Sequence, residues 1–157
     1  DPTAIVRVGF HKEEKAIYVQ EVLYESELTN TALINQLQYK EISKSDILVC
    51  DSAEPARIAD FQAEGFKRAA AAKKTKRSIN YGIDLVKAYT LKVVQPSPNI
   101  LTELETYRWK TDRQVNILDE PLHNSRSSPC HALDALRYYC LTYIKPKNRK
   151  RVRVHLV

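Results

Sequence analysis

Apolar and polar residues alternate in short blocks along this chain, and the blocks predict its elements. Residues 3–10 (TAIVRVGF) and 16–24 (AIYVQEVLY) are rich in β-branched residues and flank the polar run HKEEK, which predicts two strands joined as a hairpin. Residues 29–42 carry Ala32, Leu33, Leu37 and Ile42 at helical spacing. The run DILVC at 46–50 predicts a short strand buried on both faces of a sheet, ending in Asp51. A helix follows from Pro55 to about Glu64, with Gly65 as its stop. A short strand lies within 66–72, then a basic loop at 73–78. A helix over 79–89 turns Ile79, Ile83, Leu85 and Val86 inward, followed by a strand at 91–95 and a helix from 99 to about 107. A strand at 115–118 and a polar loop lead to the last helix, which runs to Tyr143 with Leu133, Leu136, Cys140 and Tyr143 at helical spacing. Ser127 or Ser128 is its expected N-cap, with Pro129 in its first turn. A hairpin followed by alternating helices and strands predicts an α/β fold, a mixed sheet with helices on its faces.

At 157 residues with 43% apolar content, the chain suits one domain, expected over residues 1–144, with a basic tail at 145–157. A net charge of +6 favours an acidic partner, nucleic acid first. Cys50, Cys130 and Cys140 are odd in number and form no CxxC, which points to reduced intracellular thiols rather than a disulfide framework or a zinc site. No signal peptide or long apolar run is present. The chain opens on Asp1-Pro2 and contains no Met, so a fragment is expected. The absence of GxxxxGK[ST] and of GxSxG leaves no P-loop and no esterase-type serine in these residues.

Carboxylates dominate the remaining candidate chemistry. Asp51 ends a strand, where α/β proteins commonly place functional groups, although an Asp there is equally suited to cap the next helix. Glu54 can complete a capping box or sit near the same site. His131 and Asp134 share one face of the last helix, continued by Tyr138; that face is either a ligand-bearing site or a solvated stripe. Asp51 and Asp134 together suit Mg²⁺ or Mn²⁺, which want oxygen ligands. Two such ions need further acids, for which Glu54, Glu120, Asp1 or a residue upstream of Asp1 are candidates. Lys73, Lys74, Lys76 and Arg77 form a basic segment that can contact phosphate; Lys145, Lys147, Arg149, Lys150, Arg151 and Arg153 form another. Trp109 reads as a partly buried anchor rather than a base-stacking platform.

Several of these segments together resemble one family. Asp1-Pro2-Thr3-Ala4, the stretch VCDSAEP at 49–55, the basic loop at 73–78, Tyr107-Arg108-Trp109, Glu120-Pro121 and HALDALRY at 131–138 resemble, in order, the C-terminal nuclease domain of the large terminase subunit of tailed bacteriophages and prophages. The resemblance implies a ribonuclease-H-like fold and an endonuclease that cuts concatemeric viral DNA during packaging in the bacterial cytoplasm. It implies a pair of Mg²⁺ or Mn²⁺ ions, double-stranded DNA as substrate, and an ATPase domain, a small terminase subunit and a portal as partners. Carried over by position, Asp51 and Asp134 are the metal-binding acids, and His131 is their neighbour in the catalytic set.

The family's first catalytic Asp lies a few residues before the DP motif, so that ligand is expected upstream of Asp1. Cys130 stands where the family often has Asn, and the loop at 124–129 is longer than usual. Two other readings stand beside this one: a non-catalytic DNA-binding or docking module, and a different ribonuclease-H-like nuclease such as a junction resolvase.

Overall fold

The computed structural model describes residues 2–75, 78–122 and 127–144. Strands β1 (Pro2–His11) and β2 (Ala16–Ser26) form the expected antiparallel hairpin, and β2 runs two residues further than the apolar pattern does. Then come helix α1 (Asn30–Tyr39), strand β3 (Leu48–Cys50), helix α2 (Pro55–Ala63) and strand β4 (Ala69–Ala71). Helix α3 (Ser78–Lys87), strand β5 (Thr90–Val94) and helix α4 (Pro98–Thr106) follow. The ribbon β6 (Trp109–Thr111) and β7 (Ile117–Pro121) precedes the last helix, α5 (His131–Tyr143). This is the mixed α/β architecture expected.

Strand β5 adds parallel to β2, so the order is β1-β2-β5, part antiparallel and part parallel. Parallel pairing of β2 and β5 requires a crossover, and the intervening helices supply it. One side of this sheet packs under α3, α4 and α5. There Ile17, Val19, Leu85, Ile100, Ala132, Leu136, Cys140 and Ile144 form a closed apolar cluster. A second cluster, with Leu33, Leu37, Phe61 and Phe66 at its centre, lies between α1, α2 and β4.

The sheet is not continuous among the described residues. β3 pairs with β4 alone and β1 with β2 alone, giving separate sheets. β3 is therefore a half-buried strand with an open edge, not one covered on both faces as its apolar sequence predicted. Between the open edges of β1 and β3 lies a cleft of about 990 Å³. Consecutive residues of both strands line it, 2–8 on one side and 48–50 on the other, so it runs along the two strands.

Smaller differences have local causes. β7 begins at Ile117 rather than Val115, because the Asp112 carboxylate accepts the N–H groups of Gln114 and Asn116 and bends the chain there, with Val115 at φ 64°. In α3 the residues most deeply buried are Ser78, Gly82 and Leu85; Ile79, Ile83 and Val86 are only half-buried. A Cβ on Gly82 would lie 2.7 Å from Arg137 Cδ and closer still to Cγ, so a glycine is what lets α3 approach α5 this closely.

Candidate active site

Asp51 follows β3 directly and is about one-third exposed. It does not cap α2: Glu54 stands at the N-cap position and makes no side-chain capping bond, so no capping box forms. The Asp51 carboxylate instead turns back on the chain, its Oδ1 accepting the N–H of Ala53 at 2.8 Å. The same oxygen is ion-paired with Lys74, and Oδ2 accepts the hydroxyl of Tyr138 at 2.9 Å. Tyr138 lies on α5, so this bond ties the strand end to the last helix. Lys74 also sits 4.4 Å from the centre of the Tyr138 ring. Burial pushes the Asp51 carboxyl upward, but the bonds from Ala53, Lys74 and Tyr138 together outweigh it and hold the group below its ordinary value. Lys74 is correspondingly held more basic than usual: burial lowers it, and its bonds to Asp51 and Tyr138 win.

Asp134 lies one turn before Tyr138, and it is not part of a solvated stripe. It is 8% exposed and is paired with Arg137, itself 5% exposed and pressed against Gly82. His131, half-buried, begins α5 and packs edge-on to the Tyr24 ring, 6.1 Å between centroids. Asp51, Glu54, His131, Asp134 and Tyr138 all line the cleft between β1 and β3. The fold thus brings Asp51 and Glu54 to one opening with His131 and Asp134, from a segment about 80 residues further along the chain.

The remaining candidates fall elsewhere. Glu120 pairs with Lys110 on the β6–β7 ribbon and takes no part in lining the cleft. Lys73 joins the basic loop to α5 through its N–H, which the Thr142 hydroxyl accepts at 3.2 Å. Asp1, Lys76, Arg77 and the basic tail lie outside the described residues. Trp109 is half-buried, with Lys87 Nζ 5.6 Å from its ring centre. The three cysteines form no disulfide, and burial pushes the Cys50 thiol up to about 11 and that of Cys140 to about 12, which keeps them protonated at neutral pH.

The sequence profile of the terminase RNAseH like domain matches residues 1–141. This chain belongs to that family. The PBSX phage terminase large subunit of Bacillus subtilis (strain 168) is 24% identical over 96% of this chain. The chain spans about a third, 34%, of that relative's length. The solved nuclease domain of the large terminase of bacteriophage SPP1, with bound Mn, superposes with a TM-score of 0.76 at 26% identity. That superposition covers 89% of this chain and 78% of the other. A terminase RNase H-like domain is what the resemblance of the short motifs had implied, and the mixed α/β order read from the sequence agrees with it. Among the described residues no helix is long and apolar enough to cross a membrane.

Two contributors to the site were not singled out in the sequence: Arg137 as the partner of Asp134, and the lysine bond to Asp51. Arg137 had a signal, its spacing of three from Asp134 on one helix face. The Lys74–Asp51 pair had none, since it joins separate loops.

Proposed function

We propose that this chain is the nuclease domain of a phage terminase large subunit, a divalent-metal-dependent endodeoxyribonuclease that cuts concatemeric viral DNA during packaging. Family membership supports this, as does the Mn bound in the SPP1 relative. The observation that carries it is the convergence of Asp51, His131 and Asp134 on one open cleft beside a lysine. Oxygen donors of this kind fit a hard divalent cation. Among the described residues, no three His, Cys, Asp or Glu side chains gather closely enough to hold a metal, so the donor set fits in part. Asp51 and Asp134 would hold Mg²⁺ or Mn²⁺ jointly with an acid from outside these residues. The open edges of β1 and β3 support a further strand lying between them, contributed from upstream of Asp1 and carrying that acid.

When bound, such ions would make a coordinated water more acidic and offset the negative charge that develops on the phosphate. The protein's own groups do the rest. Lys74 and Arg137 balance Asp51 and Asp134 before a cation arrives. Released from Asp51, Lys74 would contact a DNA phosphate, a role also proposed for Lys73 and, outside the described residues, for Lys76 and Arg77. His131 stands at the cleft to orient a ligand or pass a proton. An ATPase domain, a small terminase subunit and a portal complete the assembly in the host cytoplasm.

A second reading, a DNA-binding module whose acids are structural, is favoured by one observation: both carboxylates are already ion-paired within the fold. Asp51→Ala separates the two. Loss of partners around a metal ligand alone costs about 10–100-fold, so removing a ligand is expected to cost more than about 100-fold in cleavage. DNA affinity measured in EDTA should be retained. Unaltered cleavage by Asp51→Ala would contradict the nuclease assignment of this cleft.

A further inference from the structure

The first turn of α5 carries His131, yet the helix is not capped from its own sequence. Neither serine before Pro129 takes the cap position; Cys130 does, and it makes no side-chain capping bond. The capping oxygens come from α4. Glu103, 1% exposed, accepts the N–H of Ala132 at 3.2 Å through Oε1 and the N–H of Leu133 at 2.9 Å through Oε2. These are the second and third residues of the helix, whose N–H groups an N-cap side chain ordinarily satisfies. The carboxylate also answers the positive end of the α5 dipole. Its third partner is the Tyr24 hydroxyl, which donates to Oε1 at 2.8 Å, while the Tyr24 ring braces His131.

The arrangement extends one step further back. Glu21 of β2 caps α4 in the same manner, accepting the N–H groups of Asn99 at 2.9 Å and Ile100 at 3.2 Å and the Asn99 side chain at 2.7 Å. Two carboxylates therefore link sheet to helix and helix to helix: β2 seats α4, and α4 seats α5.

We infer that Glu103 is a positioning residue for the acidic site: by capping α5 from α4, it fixes the height and rotation at which His131 and Asp134 enter the cleft opposite Asp51. This rests on the proposed metal site. The Tyr138–Asp51 and Lys73–Thr142 bonds hold the middle and end of α5, and the two-point bond from Glu103 holds its first turn, where His131 lies. Glu103→Gln is the informative change, because three donors converge on the carboxylate. The amide keeps the volume but offers one acceptor, and its NH₂ must face a donor.

The test is made on the protein as naturally expressed, with Mn²⁺ binding followed by calorimetry and cleavage measured across a Mn²⁺ series. A matched control, Phe66→Leu, lowers stability from the other apolar cluster without touching the cleft. Glu103→Gln should weaken Mn²⁺ binding by about tenfold or more, the range for groups that orient metal ligands. DNA affinity in EDTA should be unchanged, and excess Mn²⁺ should recover part of the rate. Tyr24→Phe, which removes one bond and keeps the ring, should shift the Mn²⁺ midpoint in the same direction by less. A Glu103→Gln protein that loses thermal stability as Phe66→Leu does, yet binds Mn²⁺ like the wild type, would reduce Glu103 to a structural cap. Absence of Mn²⁺ binding by the wild type would instead overturn the metal site itself.

Discussion

At the scale of single residues, Asp51 shows how a short polar motif acquires its role. Its sequence position allowed a helix cap or a functional acid, and the structure resolves the first half of that choice: its carboxylate faces Lys74 and Tyr138 and leaves α2 uncapped. These bonds hold its carboxyl below its ordinary value near 3.8. A group depressed in the folded state is protonated first in the unfolded chain as pH falls. Its stabilisation is therefore complete above the ordinary aspartate value and drains away as pH drops through the depressed one. Asp51→Asn in metal-free buffer should cost at most about 1 kcal/mol at neutral pH, because both partners are about one-third exposed (35% and 29%) and water screens the pair. The difference from wild type in urea unfolding should shrink in acid. A difference that stays constant with pH would mean the ion pair contributes nothing. Lys74, Tyr138 and Asp51 come together only through tertiary folding, which is why local spacing foretold the acid but not its partners.

At the scale of elements, α5 was the most legible part of the sequence and also the one whose surroundings were hardest to foresee. Its apolar spacing placed the helix and its inward face correctly at Leu136 and Cys140. Its cap could not be read, because Ser127 and Ser128 were plausible by type, while the capping Glu103 lies 29 residues away from Ala132. β3 was misjudged for a related reason. An apolar run looks the same whether a strand is covered on both sides or borders a cleft. The α3–α5 contact gives a direct test. Gly→Ala within a helix ordinarily gains about 0.5–1 kcal/mol. At Gly82 the added Cβ strikes the buried stem of Arg137, and overpacking costs about 1–3 kcal/mol. Gly82→Ala should therefore lose stability by about 1 kcal/mol net in urea unfolding and displace Arg137 from Asp134. A gain in stability would show that α3 can retreat from α5 without cost.

At the scale of the whole molecule, the order of elements and six short motifs carried the family, and the family profile and the SPP1 superposition agree with them. The closed apolar clusters under α3–α5 and under α1 and α2 flank one cleft, and Asp51, Glu54 and Asp134 all line it. The basic loop reaches the same place through Lys74. Cleavage of supercoiled plasmid is the most direct measurement, run with Mn²⁺, Mg²⁺ or EDTA on this chain and on one extended upstream of Asp1. Metal-dependent nicking by the extended protein, abolished by EDTA and absent or much weaker in the shorter chain, is the expected result, with the missing acid then upstream. DNA binding without nicking by either protein in any metal would contradict the account and leave a binding module in its place.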